Sequence, residues 1–474
     1  MDATAQHDTA RAFYLIVAIF VAAQVFKFIF LVPEAETGGD AAMKWNVARE
    51  LAQGSAELFR GSDFISQHYM RWASWALPMA LIWLFSDEIV IYYLSTALPS
   101  TLAALIFVYV SFRNFGPVPT LVLAILWFFD PQLYRATFQL LPTGAGLLPL
   151  ALIVLTFQRF GDGKLSDRGL TIWLVVLLFW LYGAKETNIF FAPGLFFAIW
   201  LLSRAKYAFG FALGFVALYA VEAVGLSLLA DKALLGGRMM ELLAGGAVHI
   251  TAMREAEVLV REQEALWDAG ILSRWYNVSP FHIPVYALSI PAFIYLVVRH
   301  IRTPPETGGA KLAFGVAMMA LSFVLLTSFF IVSLDPVRLG QPLRSRYLAI
   351  LLPLSYFTLF HMFMQISNRR AAVRSVVALV LLSLTFSIGD LAIRGRLAAD
   401  LGPKVKEAVL FGDSQPLPYW TAYYAWFGKV LPRDRCTPEK LDRRRNSFKR
   451  MYVSRNNRGP GYFARIEDCA PVEN

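Results

Sequence analysis

Residues 12–32 read AFYLIVAIFVAAQVFKFIFLV, and only Gln24 and Lys27 interrupt the apolar side chains of this stretch. A run of about 20 apolar residues has the length that an α-helix needs to cross the ~30 Å hydrocarbon core of a bilayer. The run is longer than the core of a secretory signal and no small-residue cleavage site follows it, so we expect it to remain as a span. The stretch therefore predicts an integral membrane protein.

Similar apolar runs recur along the rest of the chain. The protein has 474 residues, of which 57% are hydrophobic and 16% are charged, whereas soluble domains contain about 25% charged residues. This composition excludes a disordered protein and argues against a soluble enzyme. The net charge of +10 fits basic cytoplasmic loops. Since the chain has no Walker loop, zinc-ligand spacing or RNA-binding signature, we do not expect nucleic acid as a partner.

The positive charges of the short loops predict the orientation, because Lys and Arg concentrate in cytoplasmic loops. If residues 72–86 lie in the outer interface instead of spanning, most of these charges fall on the side of the N-terminus. We therefore predict an all-α polytopic membrane protein with about eleven transmembrane helices, a cytoplasmic N-terminus and an outer C-terminus. The aromatic residues of 72–86 suit an interfacial or re-entrant helix.

Two large outer loops, 33–88 and 231–280, contain amphipathic helical patterns that can rest on a bilayer surface. They belong to a predicted membrane domain over 1–390, which is followed by a small outer domain over 391–474. Both cysteines, Cys436 and Cys469, lie in this C-terminal part. Because an outer compartment permits oxidation, we expect a disulfide between them, with two separate thiols as the alternative.

Ionisable residues are sparse at the predicted outer ends of the spans, and they recur at particular positions. The set comprises Asp40, Asp130, Lys185, Glu186, Arg344 and Arg346, with Tyr347 beside the last. An acid can deprotonate an acceptor hydroxyl, and Lys and Arg can hold and stabilise a departing phosphate. The set predicts group transfer from a lipid-phosphate donor, a reaction that needs no nucleotide.

Four short motifs carry a resemblance to a known family. They are Gly39-Asp40 with the following 48–54, His68-Tyr69-Met70-Arg71 with Pro78, Lys185-Glu186 with Pro193, and Arg344-Ser345-Arg346-Tyr347 with Pro353. In this order, and on one predicted side of the membrane, they resemble the GT-C superfamily of glycosyltransferases. These enzymes use polyprenol-phosphate sugars and include protein O-mannosyltransferases and lipid A aminoarabinose transferases. The motifs are short, and together they span residues 34 to about 353, roughly two thirds of the chain.

The resemblance implies an active site facing away from the cytoplasm and a lipid-linked donor that is inverted at its anomeric carbon. Asp40 would be the catalytic acid or base, and Lys185, Arg346 and Arg71 would bind the donor phosphate. Further candidates for the site are Glu36, Asp130, Glu186, Arg344, Tyr347, His68 and His249. The chain departs from the family pattern in two ways. Residues 141–146 contain no second acid, and loop one lacks a tight Asp-x-Asp pair, so we expect no divalent metal and no other cofactor.

Each of these residues also has a simpler structural interpretation. Asp40 follows two glycines and precedes a helix, as an N-cap residue does. Lys185 and Glu186 can form a boundary ion pair, Arg71 and Arg346 can anchor at the interface, and Asp130 before Pro131 suits a turn. His68 and His249 are typical of surface hydrogen-bonding residues, and Tyr347 of a packing residue.

The leading hypothesis is a glycosyltransferase of the bacterial inner membrane, with Asp40 as base. It would move a sugar from a polyprenyl-phosphate donor to a lipid, polysaccharide or protein acceptor of the envelope. One alternative is a polysaccharide polymerase or ligase that uses a lipid-diphosphate donor. A lipid or solute transporter is the other, but the sequence shows no internal repeat and few charges inside its spans, with Lys27 and Glu222 as the examples. The sugar, the acceptor, the stereochemical outcome, the metal dependence and the oligomeric state stay open.

Overall fold

The computed structural model describes residues 3–31, 39–56, 70–86, 89–130, 142–230, 282–329, 331–334, 337–339 and 348–365, with single positions at 132, 133, 136, 140, 374, 378 and 385. Its helices are α1 (Ala3–Leu31), α2 (Gly39–Ala52), α3 (Trp72–Leu84), α4 (Ile89–Phe115), α5 (Pro117–Phe129), α6 (Pro142–Gly161), α7 (Asp167–Ala184), α8 (Ala192–Leu202), α9 (Ala205–Ala230), α10 (His282–Arg302), α11 (Gly308–Phe329) and α12 (Leu352–Gln365). Two 3-10 helices cover Glu186–Phe191 and Ala349–Leu351, and an antiparallel hairpin pairs β1 (Ile331–Leu334) with β2 (Val337–Leu339).

Six of these helices are long and apolar enough to cross a membrane. The apolar segments are Ile91–Phe115, Pro142–Gly161, Asp167–Ala184, Ala205–Leu229, His282–Arg302 and Gly308–Ser328. The predicted class of helical membrane protein is confirmed at this level. Shorter apolar stretches of 10–17 residues are Ala10–Phe26 within α1, Trp72–Leu84, Pro117–Phe129, Glu186–Leu202 and Ala349–Gln365. The predicted total of about eleven spans therefore stays a prediction.

Helix α6 lies at the centre of the bundle, where it packs against α4, α7 and α11. Its buried residues surround the helix, as the sequence pattern requires of a helix that is apolar on all faces. Helix α9 is peripheral and exposes Leu213 and Leu228, which are 71% and 75% accessible. Apolar side chains exposed to this extent suit contact with lipid, because soluble proteins rarely expose large contiguous apolar patches.

Close helix contacts in the bundle depend on glycine. A Cβ added at Gly194 in α8 would lie 2.6 Å from the Cα of Met319 and 2.7 Å from the carbonyl carbon of Met318, both in α11. Small residues of this kind let membrane helices approach closely.

We expect Gly194→Ala to lower the free energy of unfolding by about 1–3 kcal/mol, the usual effect of overpacking a tight contact. The clash involves main-chain atoms, which cannot move aside as a flexible side chain can. Gly225→Ala in α9 is the matched control, because a Cβ at Gly225 meets nothing within 4 Å. SDS titration in mixed micelles measures both variants, and equal effects of the two substitutions would contradict the close contact.

The helices alternate in direction, so their ends form two layers. At one end, Arg113 pairs with Asp162 at 3.1 Å and Arg299 donates to Gln365 at 2.6 Å. We call this the basic end. It carries the short connections α4–α5, α6–α7, α8–α9 and α10–α11.

The other end carries an additional layer of helices, which we call the cap. It consists of α2, α3 and the last turns of α9. Val47, Ala48, Met70, Trp75 and Leu226 form a hydrophobic cluster of their own within it. The end of the bundle that bears this layer is the cap end. The candidate site lies among the polar contacts between the cap and the rest of the bundle.

Candidate functional site

One polar contact between cap and bundle is the ion pair of Arg71 and Glu186. Arg71 Nε donates to Glu186 Oε2 at 2.9 Å, and Arg71 Nη2 donates to Oε1 at 2.6 Å. Both side chains are 13% exposed. Paired donation of this kind uses the planar fork of arginine, which lysine lacks. The two residues lie at the starts of different helices, since Arg71 directly precedes α3 and Glu186 is the first residue of the 3-10 helix after α7.

The chain turns between α7 and the 3-10 helix, and this turn determines where Lys185 lies. Lys185 has an extended backbone conformation and interrupts the helical pattern between Ala184 and Glu186. Asn188 stabilises the turn by donating from its side chain to the main-chain oxygen of Leu181 at 2.8 Å. Lys185 is half-buried and directly precedes Glu186, the partner of Arg71, in sequence.

Two more hydrogen bonds fix α3 on the bundle. The indole N–H of Trp72 donates to Glu222 Oε1 at 2.7 Å, and Ser74 Oγ donates to the main-chain oxygen of Ala184 at 3.3 Å. Glu222 is the acid that interrupts the apolar sequence of α9. The consecutive residues Arg71 and Trp72 are thus held by carboxylates from two different parts of the bundle.

We expect the double-mutant cycle of Arg71→Gln and Glu186→Gln to give a coupling energy of about 1–3 kcal/mol for unfolding. Each single variant removes one member of a partly buried, charge-assisted pair of hydrogen bonds, whereas the double variant leaves two amides that can pair with each other. SDS titration of the four proteins measures the cycle. Strictly additive effects would show that the pair contributes no interaction energy.

A second polar cluster centres on Asp130, the residue that ends α5. Its Oδ1 accepts from the backbone N–H groups of Gln132 and Leu133 at 2.8 and 3.1 Å. Its Oδ2 accepts from the hydroxyl of Tyr356 at 2.8 Å and lies 3.0 Å from Nε2 of His282. Asp130 and Tyr356 are fully buried, and His282 is 1% exposed. The cluster joins the cap ends of α5 and α10 to α12.

Burial opposes the charged form of Asp130, but its neighbours outweigh this effect. The facing His282, its hydrogen bond, the Leu133 N–H and the Tyr356 hydroxyl hold the pKa of the Asp130 carboxyl below its usual range. Both carboxylate oxygens are occupied by protein groups, and no part of Asp130 reaches the surface. The structural interpretation of Asp130 as a cap and turn residue therefore fits its contacts better than direct contact with a substrate.

A third joint involves Lys44, a residue that the sequence analysis does not include among the candidates. Lys44 lies in α2, is fully buried and donates to the main-chain oxygen of Leu140 at 3.3 Å. The next residue, Trp45, packs edge-to-face on Tyr92 of α4 with ring centroids 5.4 Å apart.

The structure brings together Arg71, Lys185 and Glu186, and it places Asp130 at the same end of the bundle. Asp40 is the second residue of α2, so its main chain belongs to the cap, and its side chain is outside the described part. The other predicted site residues, Glu36, His68, His249, Arg344, Arg346 and Tyr347, and the two cysteines Cys436 and Cys469, lie outside the described residues.

The partners that the sequence analysis missed are Lys44, His282 and Tyr356. The burial of Lys44 could have been predicted from the sequence of α2, because Lys44 lies four positions before Ala48 and therefore on the same, buried face of the helix. His282 and Tyr356 carried none, because they lie 152 and 226 residues from Asp130 in sequence.

Within the described ranges, no three His, Cys, Asp or Glu side chains lie close enough to hold a metal ion. The described polar side chains at the cap end include the carboxylates of Asp130, Glu186 and Glu222, the guanidinium of Arg71 and the amino groups of Lys44 and Lys185. The chain matches no protein-family model and no curated protein.

Proposed function

We propose that this protein is a membrane glycosyltransferase that moves a sugar from a polyprenyl-phosphate donor to an acceptor of the cell envelope. One observation carries the proposal. Helix α2, which includes Asp40, lies at the same end of an apolar helical bundle as Arg71, Lys185 and Glu186. An acid and cations at the boundary of a bilayer suit a substrate whose reactive phosphate lies at the end of a lipid chain.

The proposed reaction uses Asp40 as a general base. Its carboxylate takes the proton of the acceptor hydroxyl while that oxygen attacks the anomeric carbon of the sugar. The bond from the anomeric carbon to the phosphate oxygen breaks, and polyprenyl phosphate leaves with the electron pair. Lys185 stabilises the negative charge of the departing phosphate, and Glu186 orients Arg71 for the same task. Arg346 is a further proposed phosphate ligand.

The membrane orientation is part of the proposal. The basic end carries a group of Lys and Arg residues, namely Arg113, Arg159, Lys164, Arg168, Arg204, Arg299 and Lys311. This group fits the excess of positive charge in cytoplasmic loops. The cap then faces away from the cytoplasm. Ser74 of α3 contacts Ala184, and α3 ends five residues before α4 begins at Ile89. Both ends of α3 are thus at the cap end, in agreement with an interfacial helix.

Labelling of single cysteines tests this orientation. In a background with Cys436→Ser and Cys469→Ser, we expect Gln53→Cys in the cap to react with a membrane-impermeant maleimide on intact cells. Ser166→Cys at the basic end, which is equally exposed, should react only after the membrane is permeabilised. The reverse result would place the cap in the cytoplasm, where this reaction scheme fails.

Reconstitution tests the activity itself. The purified protein in proteoliposomes is supplied with radiolabelled polyprenyl-phosphate sugars and an extract of envelope acceptors, and we expect label to move to an acceptor as single sugars. No transfer from any such donor would refute the proposal. Long polymers formed from a lipid-diphosphate donor would favour the polymerase or ligase instead.

The Asp130–His282 pair favours transport as a second candidate function. Ionisable groups buried in membrane bundles often relay protons, and Glu222 adds another acid. A transporter would acidify proteoliposomes or move solute under a pH gradient, and Asp130→Asn would abolish the movement. The glycosyltransferase proposal expects no such flux.

A further inference from the structure

Lys44 is a charged residue in an unusual position. It belongs to the face of α2 that buries Ala48 against the bundle and the rest of the cap, and its own side chain is fully buried. Removing an ammonium group from water is unfavourable unless polar partners replace the hydration. Its Nζ donates to the main-chain oxygen of Leu140, which is 96 residues away in sequence. Because methionine could fill the same volume at no such cost, the charge points to a role of its own.

The peptide groups of Leu140 are held from two sides. The carbonyl oxygen accepts from Lys44, and the backbone N–H donates to the hydroxyl of Tyr92 at 3.3 Å. Tyr92 in turn packs edge-to-face on Trp45. Two consecutive residues of α2, Lys44 and Trp45, therefore connect this helix to α4 and to Leu140, which lies just before α6. We call this set of contacts the Lys44 joint.

Three other described residues of the cap form hydrogen bonds that hold a different helix. Those of Arg71, Trp72 and Ser74 attach α3 to the bundle. The contacts of Lys44 and Trp45 attach α2 itself. The position of α2 along the bundle therefore depends on the Lys44 joint more directly than on the ion pair of Arg71.

We infer that Lys44 is a positioning residue, which holds α2 in the register that places Asp40 for sugar transfer. The inference rests on the proposed function. Asp40 precedes Lys44 by four positions, or about one turn, so the two positions share a helix face. Displacing a catalytic group by about 1 Å can cost about 10²-fold in rate. A single hydrogen bond that fixes the register of α2 can therefore control the rate of the chemical step.

The test compares Lys44→Met with Lys44→Arg in the full-length protein in proteoliposomes. Lys44→Met keeps the volume and removes the donor, and we expect kcat to fall about 100-fold while the KM for the polyprenyl-phosphate donor stays within about threefold. Lys44→Arg keeps a cationic donor and should recover at least a tenth of the wild-type kcat. Lys164→Met is the matched control, because Lys164 is exposed at the basic end, and it should leave both constants unchanged.

Hydrogen exchange of the amides in α2 provides a measurement that needs no substrate. Exchange over residues 44–52 should become at least about tenfold faster in Lys44→Met and stay unchanged in Lys164→Met, because the joint restricts local opening. Unchanged exchange in Lys44→Met overturns the inference, and so does unchanged kcat. If the wild-type protein transfers no sugar at all, the proposed function fails, and the exchange measurement still decides whether Lys44 holds α2.

Discussion

Asp40→Asn is expected to lower the kcat of sugar transfer by about 10³-fold, within the range of 10² to 10⁴ that general base catalysis supplies. The amide is nearly the same size as the carboxylate but cannot accept the proton of the acceptor hydroxyl. Because Asp40 is the second residue of α2, its structural role is that of a negative charge in the first helical turn, which contributes about 0.3–1 kcal/mol. A loss of that size cannot explain a 10³-fold fall in kcat, and a control at another helix start measures it.

The measurement is the initial rate in proteoliposomes at saturating donor and acceptor. Asp167→Asn makes the same chemical change in the first turn of α7, at the basic end, and should leave kcat within about twofold of the wild-type value, since it alters only a helix-terminus charge. Undiminished transfer by Asp40→Asn would show that the assigned base is wrong. An equal loss in the Asp167→Asn control would indicate a general defect in folding or insertion.

The sequence predicts the class of helical membrane protein because the cause, an unbroken apolar composition, lies within each single stretch of the chain. A stretch such as 207–230 can satisfy its backbone hydrogen bonds in a bilayer only by forming a helix, and α9 covers Ala205–Ala230. The charges of short loops are equally local. In the structure, Arg113 beside one short connection and Asp162 of another form an ion pair at the basic end.

The side-chain contacts within the candidate site could not be predicted from the sequence in the same way. Arg71 and Glu186 are 115 residues apart in sequence. The sequence pattern favours another role for each, Arg71 as a phosphate ligand and Glu186 as a partner of Lys185. Which partner an ionisable residue meets depends on how helices are arranged in the bundle, and no periodicity encodes that arrangement. Lys44 is the exception, since a lysine on an apolar helix face is visible in the sequence of α2 itself.

The second large effect is expected at Asp130. We expect Asp130→Ala to reduce the free energy of unfolding by about 3–5 kcal/mol, because the substitution breaks a buried hydrogen-bond network. It removes the acceptor of the Tyr356 hydroxyl and of the N–H groups of Gln132 and Leu133, and it removes the contact with His282 Nε2. Asp130→Asn should cost less, because an amide oxygen can still accept hydrogen bonds.

Burial is the reason for the size of this effect, and a second acid tests that reason. Asp162 pairs with Arg113, whose side chain is 40% exposed, and also accepts from the side chain of Gln158 at 2.8 Å. Since water can reach Arg113 after the carboxylate is lost, Asp162→Ala should cost less than Asp130→Ala, about 1–2 kcal/mol. SDS titration in mixed micelles gives both values. If Asp130→Ala unfolded no more easily than Asp162→Ala, the Asp130 cluster would not hold α5, α10 and α12 together, and a role in proton transfer would be the better explanation for a carboxylate buried at that position.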